Sequence, residues 1–269
     1  MSKSYKNIGI CLFCKRSEPE VTFSARPHTI PKQMGGRNIG FDICDECNHY
    51  FGTVDKSITP NLSVEVCVKE ILNLTKYIVD MVRAHSIGKK LPYHKSIYFN
   101  VYQSDNLIQF KRQFSTKRFF SYQFTRCFKR GLYEFFLQEY HRQTRDGLDE
   151  RFDAIRRFAR YNEGDVPVWH MQYNPIGVHP MCDESEGLEI PITAEAIENI
   201  NTYGIFRLFI RGFWFYLAVV PHTNEVYWQY LKQEDEEMTS GAIFRGVIEL
   251  NNVLEIDFTL SRFNRNKFS

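Results

Sequence analysis

The sequence predicts an α+β fold in two parts: a small N-terminal unit organised by cysteines, and a larger unit in which helices precede a mostly antiparallel sheet. Three observations support this prediction. Four cysteines form two C-x-x-C pairs near the N-terminus, an apolar stripe at helical spacing follows them, and the last third of the chain contains runs rich in aromatic and β-branched residues. We place the boundary at residue 60, which gives domains over residues 1–60 and 61–269.

The composition is that of an ordinary globular protein and limits the possible functions. Hydrophobic residues make up 43% of the 269 residues, charged residues make up 25%, and the formal net charge is only +2. Binding to nucleic acid must therefore depend on local patches of charge. The longest apolar run, residues 213–220, is far shorter than the roughly 20 residues of a membrane-spanning helix. The N-terminus also lacks the apolar block of a secretory signal, so we expect a cytoplasmic protein with no membrane segment.

The clearest helix follows the domain boundary. Pro60 and Asn61 interrupt the chain, and Ser63 can cap a helix that starts at the next residue. The helix should run to about residue 85, with Gly88 as its end. Its apolar stripe consists of Val64, Cys67, Ile71, Leu74, Ile78 and Met81.

The rest of the larger unit shows helical spacing first and strand-like runs later. The spacing predicts helices over about 124–143, 148–161 and 193–202, and strands as a hairpin within 96–110, a pair within 203–222 joined near Arg211 and Gly212, and two further runs at 224–231 and 253–263.

The two C-x-x-C pairs indicate a metal site. In a reducing compartment such pairs are interpreted as metal ligands before disulfides, and four thiolates are a set that zinc favours in closed structural sites. The segment between the pairs is longer than a plain zinc ribbon needs, so it should build something further. Cys67 and Cys127 lie on apolar helical faces and are better explained as small buried residues. The four predicted ligands are Cys11, Cys14, Cys44 and Cys47.

A second motif, "HTIPKQMGG" at residues 28–36, lies between the pairs, and "CDECNHYFG" at residues 44–52 follows it. The order is a cysteine knuckle, a strand with a histidine, a loop with two glycines, a second strand, a second knuckle and a helix that starts with asparagine. This order resembles the zinc-supported HNH endonucleases, also called ββα-metal nucleases. The asparagine directly after the last cysteine also resembles the junction-resolving endonucleases of phages.

The resemblance implies a role for each matching residue. His28 would be the general base that takes a proton from the attacking water, and Asn48 would offer its carboxamide oxygen to a catalytic Mg²⁺ or Mn²⁺ ion. Asn38 would be the middle asparagine that orients the histidine, although it lies one residue farther from Cys44 than is usual. The four cysteines would hold structural zinc, and DNA would be the substrate.

One position departs from the family pattern. The residue before the base histidine is usually acidic and often binds the catalytic ion, whereas here it is Pro27. Asp42 and His49 could replace the missing ligand. Because His49 lies about 100° round the helix from Asn48, the two cannot both point squarely at one ion, and we favour Asn48.

A basic segment with interleaved aromatic residues, 110–130, is a candidate for nucleic-acid binding. It contains seven lysines and arginines and no acidic residue; cations can neutralise phosphates and aromatic faces can stack on bases. A strand and helix start with buried aromatics and solvated cations explains the segment equally well. The cations that we single out are Lys117, Arg118, Lys129 and Arg130, together with Lys32 and Arg37 beside the glycine loop.

Two hypotheses of different classes remain open on the sequence. The first is a metal-dependent endonuclease that hydrolyses DNA, which the histidine and asparagine in register favour. The second is a non-catalytic zinc module that binds nucleic acid or a protein, which Pro27 favours.

Overall fold

The computed structural model describes residues 8–56, 61–89, 95–102, 107–117, 119–173, 188–241 and 243–256. Within them the fold is α+β, as predicted. None of the helices in these ranges has the length and apolar content needed to cross a membrane. The helices are α1 (Asp45–Gly52), α2 (Val64–Ser86), α3 (Arg112–Ser115), α4 (Phe120–Thr144), α5 (Asp153–Tyr161), α6 (Ala194–Tyr203) and α7 (Asn224–Thr239).

The strands form two antiparallel sheets. The strands are β1 (Phe99–Tyr102), β2 (Leu107–Phe110), β3 (Val168–Tyr173), β4 (Ile205–Ile210), β5 (Phe213–Ala218) and β6 (Phe244–Glu249). β1 and β2 make a hairpin, and the other four strands make one sheet in the order β4-β5-β3-β6.

Several predicted elements are confirmed. The helix after Ser63 is α2, and the Ser63 hydroxyl accepts a hydrogen bond from the backbone N–H of Val66 at 3.4 Å. The predicted hairpin is β1–β2, and the helix predicted over 193–202 is α6. The turn between β4 and β5 falls at Arg211 and Gly212, with φ of +51° and +82°. Positive φ at both central residues is what a two-residue type I′ hairpin turn requires.

Other predicted elements are wrong or shifted. The run at 224–231 forms the start of α7 and not a strand, because Tyr227, Tyr230 and Leu231 lie on one helical face and are buried. The run at 253–263 begins with a 3₁₀ turn, Val253–Glu255, and continues beyond the described residues. The helix predicted from residue 148 is α5, which starts at Asp153 after a 3₁₀ turn.

Helix α4 is the centre of the molecule, and every residue from Cys127 to His141 is buried. α2 packs against it so closely that a Cβ on Gly131 would lie 2.1 Å from the Val68 side chain. The four-stranded sheet covers another side of α4, where the rings of Phe128 and Phe215 lie 5.8 Å apart. Only a helix without a side chain at position 131 allows this close packing.

The cysteine unit shares its core with the larger unit. Phe13 and Phe51 of the first unit belong to the same buried cluster as apolar residues of α2, α4 and α5. The hydrophobic core is therefore continuous across residue 60, and the division into two domains there stays a prediction about the chain.

Candidate metal centre and active site

The four predicted zinc ligands meet at one point. The sulfur atoms of Cys11, Cys14, Cys44 and Cys47 all lie within 4.8 Å of one another, and those of Cys14 and Cys44 are 3.8 Å apart. A tetrahedral zinc ion with Zn–S bonds of about 2.3 Å requires sulfur separations of about 3.8 Å. The donor set and its spacing therefore suit structural zinc.

Hydrogen bonds to sulfur support this centre. The backbone N–H groups of Cys44 and Cys47 donate to the sulfurs of Cys11 and Cys44, each at 3.4 Å. Arg160 of α5 donates its Nε–H to the Cys47 sulfur at 3.3 Å and pairs with Glu46 at 3.1 Å. Such donors offset the negative charge of four thiolates, so the larger unit contributes a cation to the metal centre.

The segment between the knuckles folds back as a narrow hairpin. His28 and Ile39 form an antiparallel bridge, and the N–H groups of Thr29 and Gly40 donate to the carbonyls of Asn38 and Pro27 at 3.0 and 2.8 Å. At the hairpin's closed end, a Cβ on Gly36 would lie 1.9 Å from the Ile30 carbonyl oxygen, so only glycine fits there.

Asp45 ties this hairpin to the start of α1. Its carboxylate accepts hydrogen bonds from the backbone N–H groups of Ser24 and Ala25 at 3.1 and 2.7 Å and from the Thr22 hydroxyl. These hydrogen bonds, led by that of Thr22, lower the pKa of the Asp45 carboxyl. The strand that leads to His28 is thereby fixed against the helix that carries Asn48.

Asn48 is not the first residue of that helix. α1 begins at Asp45 and Cys44 is its N-cap, so the helix predicted to start at Asn48 starts one turn earlier. The Asn48 side chain is partly exposed, and within the described part of the chain no hydrogen bond occupies it. Its carboxamide is therefore available to a ligand.

His28 carries an unsatisfied polar atom. Its Nδ1 is buried and has no hydrogen-bond partner among the described residues. Buried polar atoms in native proteins are nearly always paired, so an orphan of this kind requires an explanation. This nitrogen is therefore free of any partner in the described part of the protein.

These features coincide with a family match. Residues 11–63 match the family model described as HNH endonuclease. We call this segment the HNH domain after the family whose model it matches. The match supports a nuclease-type function in general and nucleic acid as the class of substrate. No curated protein and no solved structure gave a significant match.

In the HNH domain, Asn38 and His28 lie on opposite faces of the hairpin. Asn38 lies opposite Thr29 across the hairpin. The Asn38 Nδ2 donates a hydrogen bond to Glu139 of α4 at 3.3 Å, and the Thr29 hydroxyl donates another to the same carboxylate. Because side chains alternate along a strand, His28 and Ile39 project from the other face. The role of Asn38 in orienting His28 stays a prediction.

The two residues considered as replacements for an acid at position 27 have different environments. Asp42 is buried, its Oδ2 lies 3.0 Å from His141 Nε2, and its Oδ1 accepts from the Gly9 N–H at 2.8 Å. Its carboxylate is thus engaged inside the protein. His49 is exposed on α1.

Among the described residues, no cluster of acidic ligands accompanies the HNH motif. In the ranges that the structure describes, the four cysteines are the group of three or more His, Cys, Asp and Glu residues close enough to hold one ion. The assignment of Asn48 to a catalytic ion stays a prediction.

The cations proposed as nucleic-acid contacts fall into two groups. Lys32, Arg37 and Lys117 are exposed, and Arg118 lies outside the described residues. The prediction that Lys129 and Arg130 contact nucleic acid is wrong, because their side chains are buried, with 6% and 0% exposed. Lys129 pairs with Asp165, and Arg130 donates to the Ala159 carbonyl and the Tyr50 hydroxyl, so neither is presented to a nucleic acid.

Sequence reasoning missed the residues that join the HNH domain to the larger unit. Arg156 donates to the carbonyls of Leu12 and Gly147 at 2.6 and 2.7 Å. Together with Arg160 it stands at i and i+4 on α5. Two arginines at this spacing on a face with buried phenylalanines were a visible signal of a buried polar contact. Glu139 and Arg142 of α4 gave no comparable signal.

Proposed function

We propose that this protein is a metal-dependent endonuclease that hydrolyses phosphodiester bonds in DNA. The observation that carries the proposal is the unpaired Nδ1 of His28, on a hairpin that Asp45 and the cysteine knuckles fix against α1. His28 is the general base and Asn48 is a ligand of a catalytic Mg²⁺ or Mn²⁺ ion.

Each residue has a defined task in this reaction. The His28 imidazole takes a proton from the water that attacks phosphorus, which typically contributes roughly 10²–10⁴-fold to the rate. Asn48 offers an oxygen to the divalent ion, a hard cation that prefers oxygen ligands. The ion, when bound, neutralises the phosphate and stabilises the leaving 3′ oxygen.

The decisive experiment is nicking of supercoiled plasmid by the purified protein with Mg²⁺ or Mn²⁺. The His28→Ala variant should nick about 10²–10⁴-fold more slowly while zinc content and melting temperature stay unchanged. His222→Ala is the matched control, because His222 is exposed and lies outside the HNH domain. Equal nicking by wild type and His28→Ala would remove the assignment of the base.

A second candidate is a zinc module that binds nucleic acid or a protein partner without catalysis. Pro27 in the usual position of an acid and the absence of an acidic cluster in the described ranges favour it. A cleavage assay distinguishes the two candidate functions. A protein that binds DNA but never cuts duplex, branched or single-stranded substrates with either ion belongs to the second class.

A further inference from the structure

A cleft of about 730 Å³ opens beside the catalytic hairpin of the HNH domain. The side chains that line it carry only positive charge, because three arginines are among them and no aspartate or glutamate is. The lining residues are Phe23, Ser24, Ala25, Arg26, Arg37, Asn38, Ile39, Gly40, Phe41 and Arg142.

Two of the arginines are free to bind a ligand. Arg26 and Arg37 are exposed on the two arms of the hairpin, and neither side chain makes an ion pair or hydrogen bond within the described residues. Guanidinium groups form bidentate hydrogen bonds with phosphates. A pair of unengaged arginines that line the same cleft is therefore a suitable anion site.

The third arginine, Arg142, is held in place by a buried glutamate of its own helix. Arg142 donates its Nε–H to the Glu139 Oε2 at 2.8 Å. Glu139 is fully buried and also accepts from Thr29 and Asn38 of the hairpin. This shared carboxylate locks α4 to the hairpin and fixes the position of the Arg142 side chain, which is partly exposed at the cleft.

The cleft reaches the residue that lies opposite the proposed base, although His28 itself does not line it. Ile39 lines it and is the cross-strand partner of His28. Directly opposite residues of an antiparallel pair have Cβ atoms about 4.5–5.5 Å apart. Ile39 is thus the link between His28 and the cleft, and a strand whose phosphate lies at His28 has the cleft within reach past Ile39.

We propose that this cleft binds the phosphate backbone of a nucleic-acid strand adjacent to the bond that is cut, with Arg26, Arg37 and Arg142 neutralising its phosphates. The inference rests on the proposed function and names where the substrate lies. The cleft wall also includes Phe23, whose ring can stack on an exposed base.

The test is binding of fluorescein-labelled oligonucleotides, single-stranded and duplex, across a salt series without added divalent ions. For a duplex, each neutralised phosphate adds about 0.9 to the slope of log K against log salt. The Arg26→Gln/Arg37→Gln variant should therefore lose about 1.8 of that slope and bind more weakly at every salt concentration. The matched control is Arg157→Gln/Arg245→Gln, which removes the same charge from exposed positions outside the cleft.

Three results would overturn the inference. They are no binding by wild type, a salt slope in the cleft variant equal to that of wild type, and an equal loss in the control variant. Competition with inorganic phosphate at constant ionic strength separates a strand site from a small-anion site. If phosphate stabilises wild type but not the cleft variant in thermal melting, while oligonucleotide binding is the same in both, the cleft holds small anions only.

Failure of the cleft and failure of the nuclease assignment are distinguishable. Wild type that binds with the expected slope but never cuts keeps the cleft and removes the catalysis. Wild type that cuts, with a cleft variant that keeps the same kcat/KM and salt slope, keeps the catalysis and removes the cleft. Melting temperature and zinc content of each variant establish that it is folded.

Discussion

The Oδ2 of Asp42 lies 3.0 Å from the Nε2 of His141, and both side chains are completely buried. The Nδ1 of His141 accepts the Gly147 N–H at 3.2 Å, which leaves the Nε2–H to donate to the carboxylate. Asp42 precedes the second cysteine knuckle and His141 belongs to α4. This pair joins the HNH domain to the centre of the molecule.

We predict that His141→Ala destabilises the whole protein. Removal of the imidazole takes one of the donors from the buried Asp42 carboxylate, which keeps the Gly9 N–H; loss of a buried hydrogen-bond partner typically costs about 1–3 kcal/mol. Urea denaturation should show a free energy of unfolding lowered by that amount. His49→Ala, at an exposed position, should stay within about 0.5 kcal/mol of wild type. A loss in His141→Ala no larger than that of the control would contradict the role of this pair.

We predict one zinc ion per chain, held by the four cysteine thiolates. Structural zinc in small domains has an apparent binding free energy of roughly 10–16 kcal/mol, so strong chelators should unfold the HNH domain. Elemental analysis should find no zinc in Cys14→Ala and one equivalent in Cys67→Ala. Cys67 is the matched control because it is buried on α2, away from the four sulfurs. Full zinc content in Cys14→Ala would rule out this ligand set.

We predict that Asn48→Ala raises the concentration of Mg²⁺ needed for half-maximal nicking. One oxygen ligand is lost, and Pro27 has no side-chain donor to replace it. The rate at saturating Mg²⁺ should recover more in Asn48→Ala than in His28→Ala, because only His28 transfers the proton. An unchanged Mg²⁺ requirement in Asn48→Ala would remove it from the ion's ligands.

We predict that His170 makes the protein less stable as the pH falls. Burial in β3 lowers the pKa of His170 from 6.5 to about 4. Between these values the unfolded chain binds a proton that the folded chain does not, so the free energy of unfolding decreases as pH falls through this window, by up to about 3 kcal/mol in total. In His170→Gln this part of the pH dependence should be absent.

The control for that experiment is His49→Gln, which keeps the buried histidine and changes an exposed one. Urea denaturation at a series of pH values between 4 and 7 gives the three curves. Parallel curves for wild type and His170→Gln would show that another group is responsible.

Local sequence determined the elements whose signal lies within a few residues. Each C-x-x-C pair sets two thiolates on one turn, and the stripe from Val64 repeats at the helical period, so both were readable in advance. The turn at Arg211 and Gly212 was equally local. The prediction of a strand at 224–231 was wrong. Aromatic residues are frequent in strands, but the spacing of Tyr227 and Tyr230 by three fits a helical face equally well.

Tertiary structure decided which of the polar residues face solvent. Lys129 and Arg130 belong to a basic segment that the sequence presents as one surface, yet α4 lies in the core and both are buried against residues of the following segment. In the other direction, Arg142 joined Arg26 and Arg37 at one cleft only because Glu139 ties α4 to the hairpin. Burial and charge clustering depend on contacts between distant parts of the chain, whereas the knuckles and the histidine motif depend on neighbours in sequence. The sequence by itself therefore determined the motif, and the packing of α4 against it decided which cations surround it.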